Sequence, residues 1–231
     1  MNMRAPQTGF SFIELAVAMF IMTLLIGSIL VPLATQVEQR QTATTQKILE
    51  DARDALMGHA ITNGYLPCPD TDGDGAENIS GSNCATISSN IAHGTLPWQT
   101  LGIAASDAWG NRIRYSVREE YARRTMFSLT TTAPTLRVCT TAACSSALTS
   151  SAVAVLVSHG KNGYGGTSSE TGSAYVNPTG TDELENTDAD RDFVSHVPSA
   201  LGSTAGEFDD IVIWLPLYTL LNKMVSAGKL P

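Results

Sequence analysis

The stretch TGFSFIELAVAMFIMTLLIGSILVPLA (residues 8–34) combines a long apolar run with one carboxylate near its start, Glu14. No residue from Leu15 to Thr35 is charged. As a helix that rises about 1.5 Å per residue, this run spans roughly the 30 Å hydrocarbon layer of a bilayer, so it predicts a transmembrane helix. Glu14 either lies solvated at the headgroup level or marks a function, because ionisable groups inside a span cost free energy.

The residues before the apolar run form a short polar leader that ends in Gly9 and holds one basic residue, Arg4. A secretory signal is normally cut after its apolar segment, which is then lost. Here the small residue precedes the run. Cleavage after Gly9 would therefore keep the apolar segment on the mature chain.

The segment GFSFIE (residues 9–14) resembles the class III signal of type IV pilins and type II secretion pseudopilins. The resemblance implies a prepilin peptidase that cuts between Gly9 and Phe10 and methylates the new amine of Phe10. It also implies that Glu14 pairs with that amine on a neighbouring subunit, since both charges gain by pairing in a low dielectric. The implied partners are further copies, other pilin-like subunits and an inner-membrane assembly platform.

Residues 36–62 continue the helical pattern, with apolar side chains at three- and four-residue spacings and no intervening turn cluster. One helix is predicted from Phe10 to Thr62, kinked or locally opened at Pro32 and stopped by Asn63-Gly64. The resemblance implies a pilin fold of the α+β class. It comprises a leader (1–9), a transmembrane and filament-core helix (10–35), and a periplasmic or extracellular domain (36–231) that includes the second half of the helix.

Strand patterns follow the helix, which predicts an antiparallel sheet packed against its second half. The predicted strands are 112–117, 126–131, 136–140, 152–158 and 211–215. Residues 160–206 are rich in Gly, Ser, Thr, Asn and Asp and predict a long loop. A short helix is predicted from Pro216 to a stop at Gly228.

Three further motifs resemble those of major pseudopilins: DAWGN (107–111), SHGKNG (158–163) and DIVIW (210–214). They differ from the family pattern at Ala108, where a proline is usual, and at Asn162, where an aspartate is usual. Trp109 and Trp214 are interpreted as packing residues rather than as ligand platforms.

The formal net charge of the 231-residue chain is −8. An acidic chain is not expected to bind nucleic acid, which requires clustered Lys and Arg. The cysteines are Cys68, Cys84, Cys139 and Cys144. In an oxidising compartment the local disulfides Cys68–Cys84 and Cys139–Cys144 are favoured, although sequence alone leaves other pairings open.

The segment DTDGDG (70–75) alternates carboxylates and ends in glycine, like the first half of an EF-hand calcium loop. Asp70, Asp72 and Asp74 are its candidate ligands. The position that normally holds a bidentate glutamate is Gly81, so Glu77 or Asn78 would have to replace it. The alternative interpretation is an acidic surface turn.

A second calcium hypothesis comes from the resemblance, because major pseudopilins bind calcium between their second turn and the last strand. The candidate ligands here are Asn162, Asp188 and Asp190, and the intervening segment also supplies Asp182, Glu183, Glu185 and Asp192. The insertion in this region prevents an alignment of individual ligands.

No nucleophile elbow, zinc-protease helix motif or P-loop occurs, so no enzyme is expected. The sequence predicts a structural subunit of a type IV pilus-like filament, anchored by one span in the inner membrane with its domain in the periplasm. A type II secretion pseudopilin that helps protein export is favoured. A major or minor type IV pilin for adhesion or motility, and a membrane-anchored calcium-dependent binding module, remain alternatives.

Overall fold

The structure is a computed structural model that describes residues 9, 11–125, 127–131 and 135–230, without the side chains of 28–33. The chain divides into two compact units, Met1–Gln41 and Thr42–Pro231. The elements in chain order are α1 (Phe12–Asn63), β1 (Ile79–Ser80), β2 (Asn83–Cys84), β3 (Ile87–Ser88), β4 (Ile91–Thr95), α2 (Trp98–Leu101), β5 (Arg114–Arg118), α3 (Glu119–Ala122), β6 (Leu136–Cys139), β7 (Ala147–Ser158), α4 (Thr181–Glu185), β8 (Asp192–Val194), β9 (Ile211–Pro216) and α5 (Leu217–Ser226).

In the first unit, α1 begins at Phe12 and its backbone is helical through Pro32 without a break. Large apolar side chains between Phe12 and Ile26 are exposed, with Phe12 89% and Ile13 72% exposed. Because consecutive helical residues differ by about 100°, runs such as residues 19–22 and 24–26 expose apolar groups on every side of the helix. Among the described residues, no helix meets the length and apolarity needed to cross a membrane.

In the second unit, the end of α1 packs against the sheet. Leu49, Ala52 and Leu56 are fully buried, and their three- and four-residue spacing puts them on one helix face. They share a core with sheet residues that include Tyr115 and Leu156. The predicted packing of this part of the helix on the sheet is therefore present.

Within the described residues, seven strands form one sheet in the order β3-β4-β5-β7-β6-β8, and β9 pairs with β7. All pairings are antiparallel except β6–β8, which is parallel. The α+β class is confirmed, while the sheet is mixed rather than purely antiparallel. A separate small hairpin joins β1 and β2.

Two further expectations, each for one segment, were wrong. Residues 127–131 are irregular, with a turn at 129–130, instead of the strand predicted at 126–131; Met126 lies outside the described residues. The predicted loop 160–206 contains α4 and β8. Strand β8 has only three residues and is held by its parallel pairing with β6, which is distant in sequence and which a local pattern does not reveal.

Candidate functional site

The first candidate region is the start of α1, where Ser11 and Glu14 bond reciprocally. The Glu14 amide donates to Ser11 Oγ (3.3 Å), and the Ser11 amide donates to Glu14 Oε2 (3.0 Å). This is a capping box, which satisfies two helix-terminal N–H groups at once. Glu14 thus has a local partner within its own chain. Phe10, the residue on which the predicted cleavage and methylation would act, lies outside the described residues.

Two of the three pseudopilin-like motifs, DAWGN and SHGKNG, meet in one buried network. Asp107 Oδ1 accepts hydrogen bonds from the amides of Trp109 and Asn111, each at 2.9 Å. Its Oδ2 accepts a bond from Ser158 Oγ at 2.6 Å. The Asn111 side chain donates to the carbonyl of Gly160 at 2.8 Å. DAWGN is therefore hydrogen-bonded to the turn at the start of SHGKNG.

The loop that follows Cys68 gathers the carboxylates of Asp70, Asp72 and Asp74, with ligand oxygens within 4.8 Å of one another. Asp70 is buried, and its carboxylate accepts bonds from the amides of Gly73 (2.7 Å) and Gly75 (3.0 Å). The sequence-predicted ligands of this loop are thus close enough to share a cation.

Of the two residues considered as replacements for the missing glutamate, Asn78 borders this group and Glu77 does not. Asn78 Nδ2 donates to Asp72 Oδ2 at 3.1 Å. Both oxygens of Glu77 are occupied elsewhere, by Arg124 Nη2 (2.9 Å) and by the Cys68 amide (3.2 Å). The structure therefore does not bring Glu77 to the proposed calcium ligands.

The second predicted calcium set is divided between two acidic groups. Asn162 lies beside Glu183 and Asp209: its Nδ2 is 3.3 Å from Glu183 Oε1, and its amide donates to Asp209 Oδ2 at 2.9 Å. Asp188 and Asp190 instead form an exposed group with Glu185. The three predicted ligands are therefore not brought together.

The group around Asn162 holds Glu183 of the intervening segment together with Asp209 and Asp210, which were not predicted as ligands. Glu183 is 1% exposed, and one oxygen of each aspartate is buried without a hydrogen-bond partner. Burial raises the pKa of Glu183 to about 7 and that of Asp209 to about 6, and the neighbouring carboxylates act in the same direction. A bound cation would favour the charged carboxylates and would lower both pKa values. In the sequence, this group was indicated by the adjacent Asp209 and Asp210 directly before the last strand.

Both local disulfides are present, Cys68–Cys84 and Cys139–Cys144. The first joins the segment after α1 to strand β2. The second closes the short loop after β6. Their sulfurs are consumed in these bonds, so Cys139 and Cys144 are not metal ligands despite the proximity of Asp192.

Residues 4–30 match the family model of the prokaryotic N-terminal methylation motif. This motif is the signal of type IV pilins and pseudopilins, and it includes Gly9, Phe10 and Glu14. It supports a type IV pilin-like or pseudopilin protein that is processed by prepilin peptidase and assembles with other pilin subunits. Comparisons with curated proteins and with solved structures gave no match.

Proposed function

We propose that the chain is a structural, non-enzymatic subunit of a type II secretion pseudopilus, anchored in the inner membrane before assembly with its folded domain in the periplasm. The observation that carries this proposal is the methylation motif at residues 4–30, which continues into a helix with apolar side chains exposed on every side. Such an apolar surface is expected to be covered by lipid or by other subunits.

The choice of the secretion system rests on the three motifs DAWGN, SHGKNG and DIVIW, which resemble those of major pseudopilins. The hydrogen bonds between the first two motifs support a shared turn architecture, since Ser158 and Asn111 link DAWGN to SHGKNG. A type IV pilin built on the same helix is the alternative within the class.

Mass spectrometry of sheared surface filaments, beside the membrane fraction, tests this proposal. We expect a processed chain that starts at N-methylated Phe10 and is confined to the membrane fraction. Abundant sheared protein with the same N-terminus would instead indicate a surface pilin. An uncut chain that begins at Met1 would contradict both filament functions and leave the anchored binding module.

We further propose that the loop of Asp70, Asp72 and Asp74 binds calcium. The ring of Trp98 packs directly on this loop, because a Cβ at Gly75 would lie 2.4 Å from Trp98 Cε2. Terbium bound there would accept excitation energy from Trp98. We expect saturable terbium emission that calcium displaces and that Asp72→Asn weakens about tenfold, since a charged oxygen ligand is lost.

Two tryptophan variants locate the terbium signal. Trp98→Phe should remove most of the emission, while Trp109→Phe, the matched control, should leave it unchanged. Emission that survives Trp98→Phe, or that Asp72→Asn does not weaken, would contradict calcium binding at this loop.

A further inference from the structure

Residues 160–210, the acidic segment, carry the whole formal net charge of the chain. They contain ten acidic residues against Lys161 and Arg191, which gives a net charge of −8, so the rest of the chain is neutral in sum. Asp182, Glu183 and Asp210 are buried, and the other carboxylates of the segment are exposed or half-buried. A charge concentrated in this way attracts cationic partners and speeds their encounter.

The same segment exposes large apolar side chains. Val176 is 71% exposed, and Tyr164, Tyr175 and Leu184 are exposed as well. Single apolar residues on a surface are ordinary, but a group of them rimmed by polar residues is typical of an interaction site. Contacts between the parts of the segment show that these side chains form such a group.

A hairpin and the helix α4 bring the apolar side chains together. Residues 165–176 form the hairpin, in which the Gly165 amide donates to the carbonyl of Val176 at 2.9 Å. Thr187 lies against this hairpin, because a Cβ at Gly165 would be 2.1 Å from its Cγ2. The amide of Thr187 in turn donates to the carbonyl of Leu184 at 3.0 Å. Val176 and Leu184 therefore stand on segments that contact each other.

Exposed carboxylates follow directly after this contact. Asp188 and Asp190 are both exposed, and they form a group with Glu185 in which carboxylate oxygens lie within 4.8 Å of one another. We name Tyr175, Val176, Leu184, Asp188 and Asp190 together the mixed patch. It combines apolar contact area with negative charge.

The mixed patch is held on the domain by backbone contacts. The Arg112 amide donates to the carbonyl of Thr167 in the hairpin at 2.8 Å. The Arg114 side chain donates to the carbonyl of Asp188. A surface that is already ordered loses less conformational entropy when a partner binds.

A second copy of this chain does not supply the complementary charge. Outside the acidic segment the chain is neutral in sum. Arginines at and after α3 are paired internally, Arg123 with Glu119 at 3.2 Å and Arg124 with Glu77 at 2.9 Å. The complement of the mixed patch is therefore sought in a different protein.

The exposed apolar side chains restrict what that protein must offer. We propose that the mixed patch binds a basic protein segment in which lysine or arginine flanks an apolar or aromatic side chain. The cations face Asp188 and Asp190, and the apolar side chain covers Val176 beside the Tyr175 ring. An arginine can also stack on that ring. This inference uses residues of the second unit alone, so it does not depend on the filament proposal.

The test titrates the full-length chain, in neutral detergent with EDTA, with the capped peptide Lys-Lys-Trp-Lys-Lys. EDTA removes calcium as a possible bridge, and calorimetry against empty micelles measures the affinity. We expect saturable binding with a Kd of roughly 0.1–1 mM at low salt, because exposed ion pairs are individually weak. Raising the salt to about 0.5 M should increase the Kd at least about fivefold, since exposed charges are screened.

Two comparison peptides separate charge from apolar contact. Lys-Lys-Ser-Lys-Lys keeps the charge and should bind at least about fivefold more weakly, because the buried apolar area is lost. Glu-Glu-Trp-Glu-Glu should not bind. Equal binding of the serine peptide, or no saturation up to about 10 mM of the tryptophan peptide, would overturn the inference.

Matched variants locate the binding. Val176→Ser should raise the Kd about fivefold, while Val225→Ser, at an exposed valine of α5, should leave it unchanged. Asp188→Asn combined with Asp190→Asn should also raise it about fivefold. Asparagine keeps the oxygen with which Asp188 accepts the Asp190 amide at 3.2 Å, so the local turn is preserved.

A second charge pair controls for general acidity. Glu50→Gln combined with Asp54→Asn, at exposed positions of α1, should not change the Kd. An equal loss in this control would show that the peptide binds any acidic surface and would contradict the inference. Sedimentation of the chain alone tests the other occupant: dimers that Val176→Ser abolishes would assign the mixed patch to a second copy instead.

Discussion

Glu14→Gln is expected to lower incorporation of the chain into filaments at least about tenfold while leaving cleavage after Gly9 intact. Cleavage would create an ammonium group on Phe10, and the Glu14 carboxylate would neutralise it on a neighbouring subunit. In an apolar filament core an unpaired charge carries a large desolvation penalty, so loss of one partner is costly. Quantitative immunoblotting of purified filaments against the membrane fraction measures the ratio.

The capping box offers a competing role for Glu14, and the choice of variants separates the two. Glutamine at the third helical position can still reach back to the Ser11 amide, so Glu14→Gln removes the charge and keeps the cap. Ser11→Ala does the reverse: it removes the cap, at a cost of about 1 kcal/mol in helix stability, and keeps the charge.

The two roles therefore predict opposite orders of effect. If the charge pair drives assembly, Ser11→Ala filaments should form at near wild-type levels and Glu14→Gln filaments should not. Defective assembly of Ser11→Ala together with normal assembly of Glu14→Gln would show that Glu14 acts through helix capping, and the intersubunit pairing would be wrong.

The sequence predicted the fold well where a pattern continues over many residues of one segment. The uninterrupted helical spacing gave α1, observed as Phe12–Asn63, and apolar runs gave β7 and β9. Strand β4 was not predicted, because His93 and Gly94 interrupt its pattern. Gly94 is required there by a distant contact: a Cβ would lie 2.4 Å from the carbonyl oxygen of Asp70. Such a constraint is invisible in a local window.

The candidate sites, too, could be predicted only where their residues are close together in the sequence. The loop of Asp70, Asp72 and Asp74 was predicted because its ligands are alternate residues of one segment. The S-x-x-E pattern of Ser11 and Glu14 was equally local, but the long apolar run beside it favours an interpretation through the charge of Glu14, and the capping hydrogen bonds were not predicted. The pairing of Glu183 with Asp209 spans 26 residues and depends on how the loop folds back to the last strand.

The buried group of Glu183, Asp209 and Asp210 carries the second large expected effect, a stability that depends on pH and calcium. Glu183 has a pKa of about 7 in the folded chain against an ordinary 4.5, and Asp209 about 6 against 3.8. Between the ordinary and the folded values the folded chain binds more protons than the unfolded chain. Its free energy of unfolding therefore falls as pH rises from about 4 to about 7.

We propose that calcium reverses this loss by replacing the protons. In EDTA, the melting temperature of the detergent-solubilised chain should fall between about pH 5 and about pH 7.5. Calcium at about 100 times its Kd should raise the melting temperature at the higher pH by about 5–10 °C, and by much less at the lower pH, where protons compete for the carboxylates.

Matched variants assign the effect to this group rather than to the loop at Asp70. Glu183→Gln keeps the side-chain shape but removes the titrating charge, so both the pH dependence and the calcium effect should shrink. Glu170→Gln, at an exposed position, should change neither. Asp72→Asn should leave the pH dependence in EDTA intact, because its carboxylate belongs to the other loop. A calcium effect that survives Glu183→Gln but disappears in Asp72→Asn would show that the stabilising ion binds at the loop of Asp70. The raised pKa of Glu183 would then still explain why the chain is more stable at the lower pH.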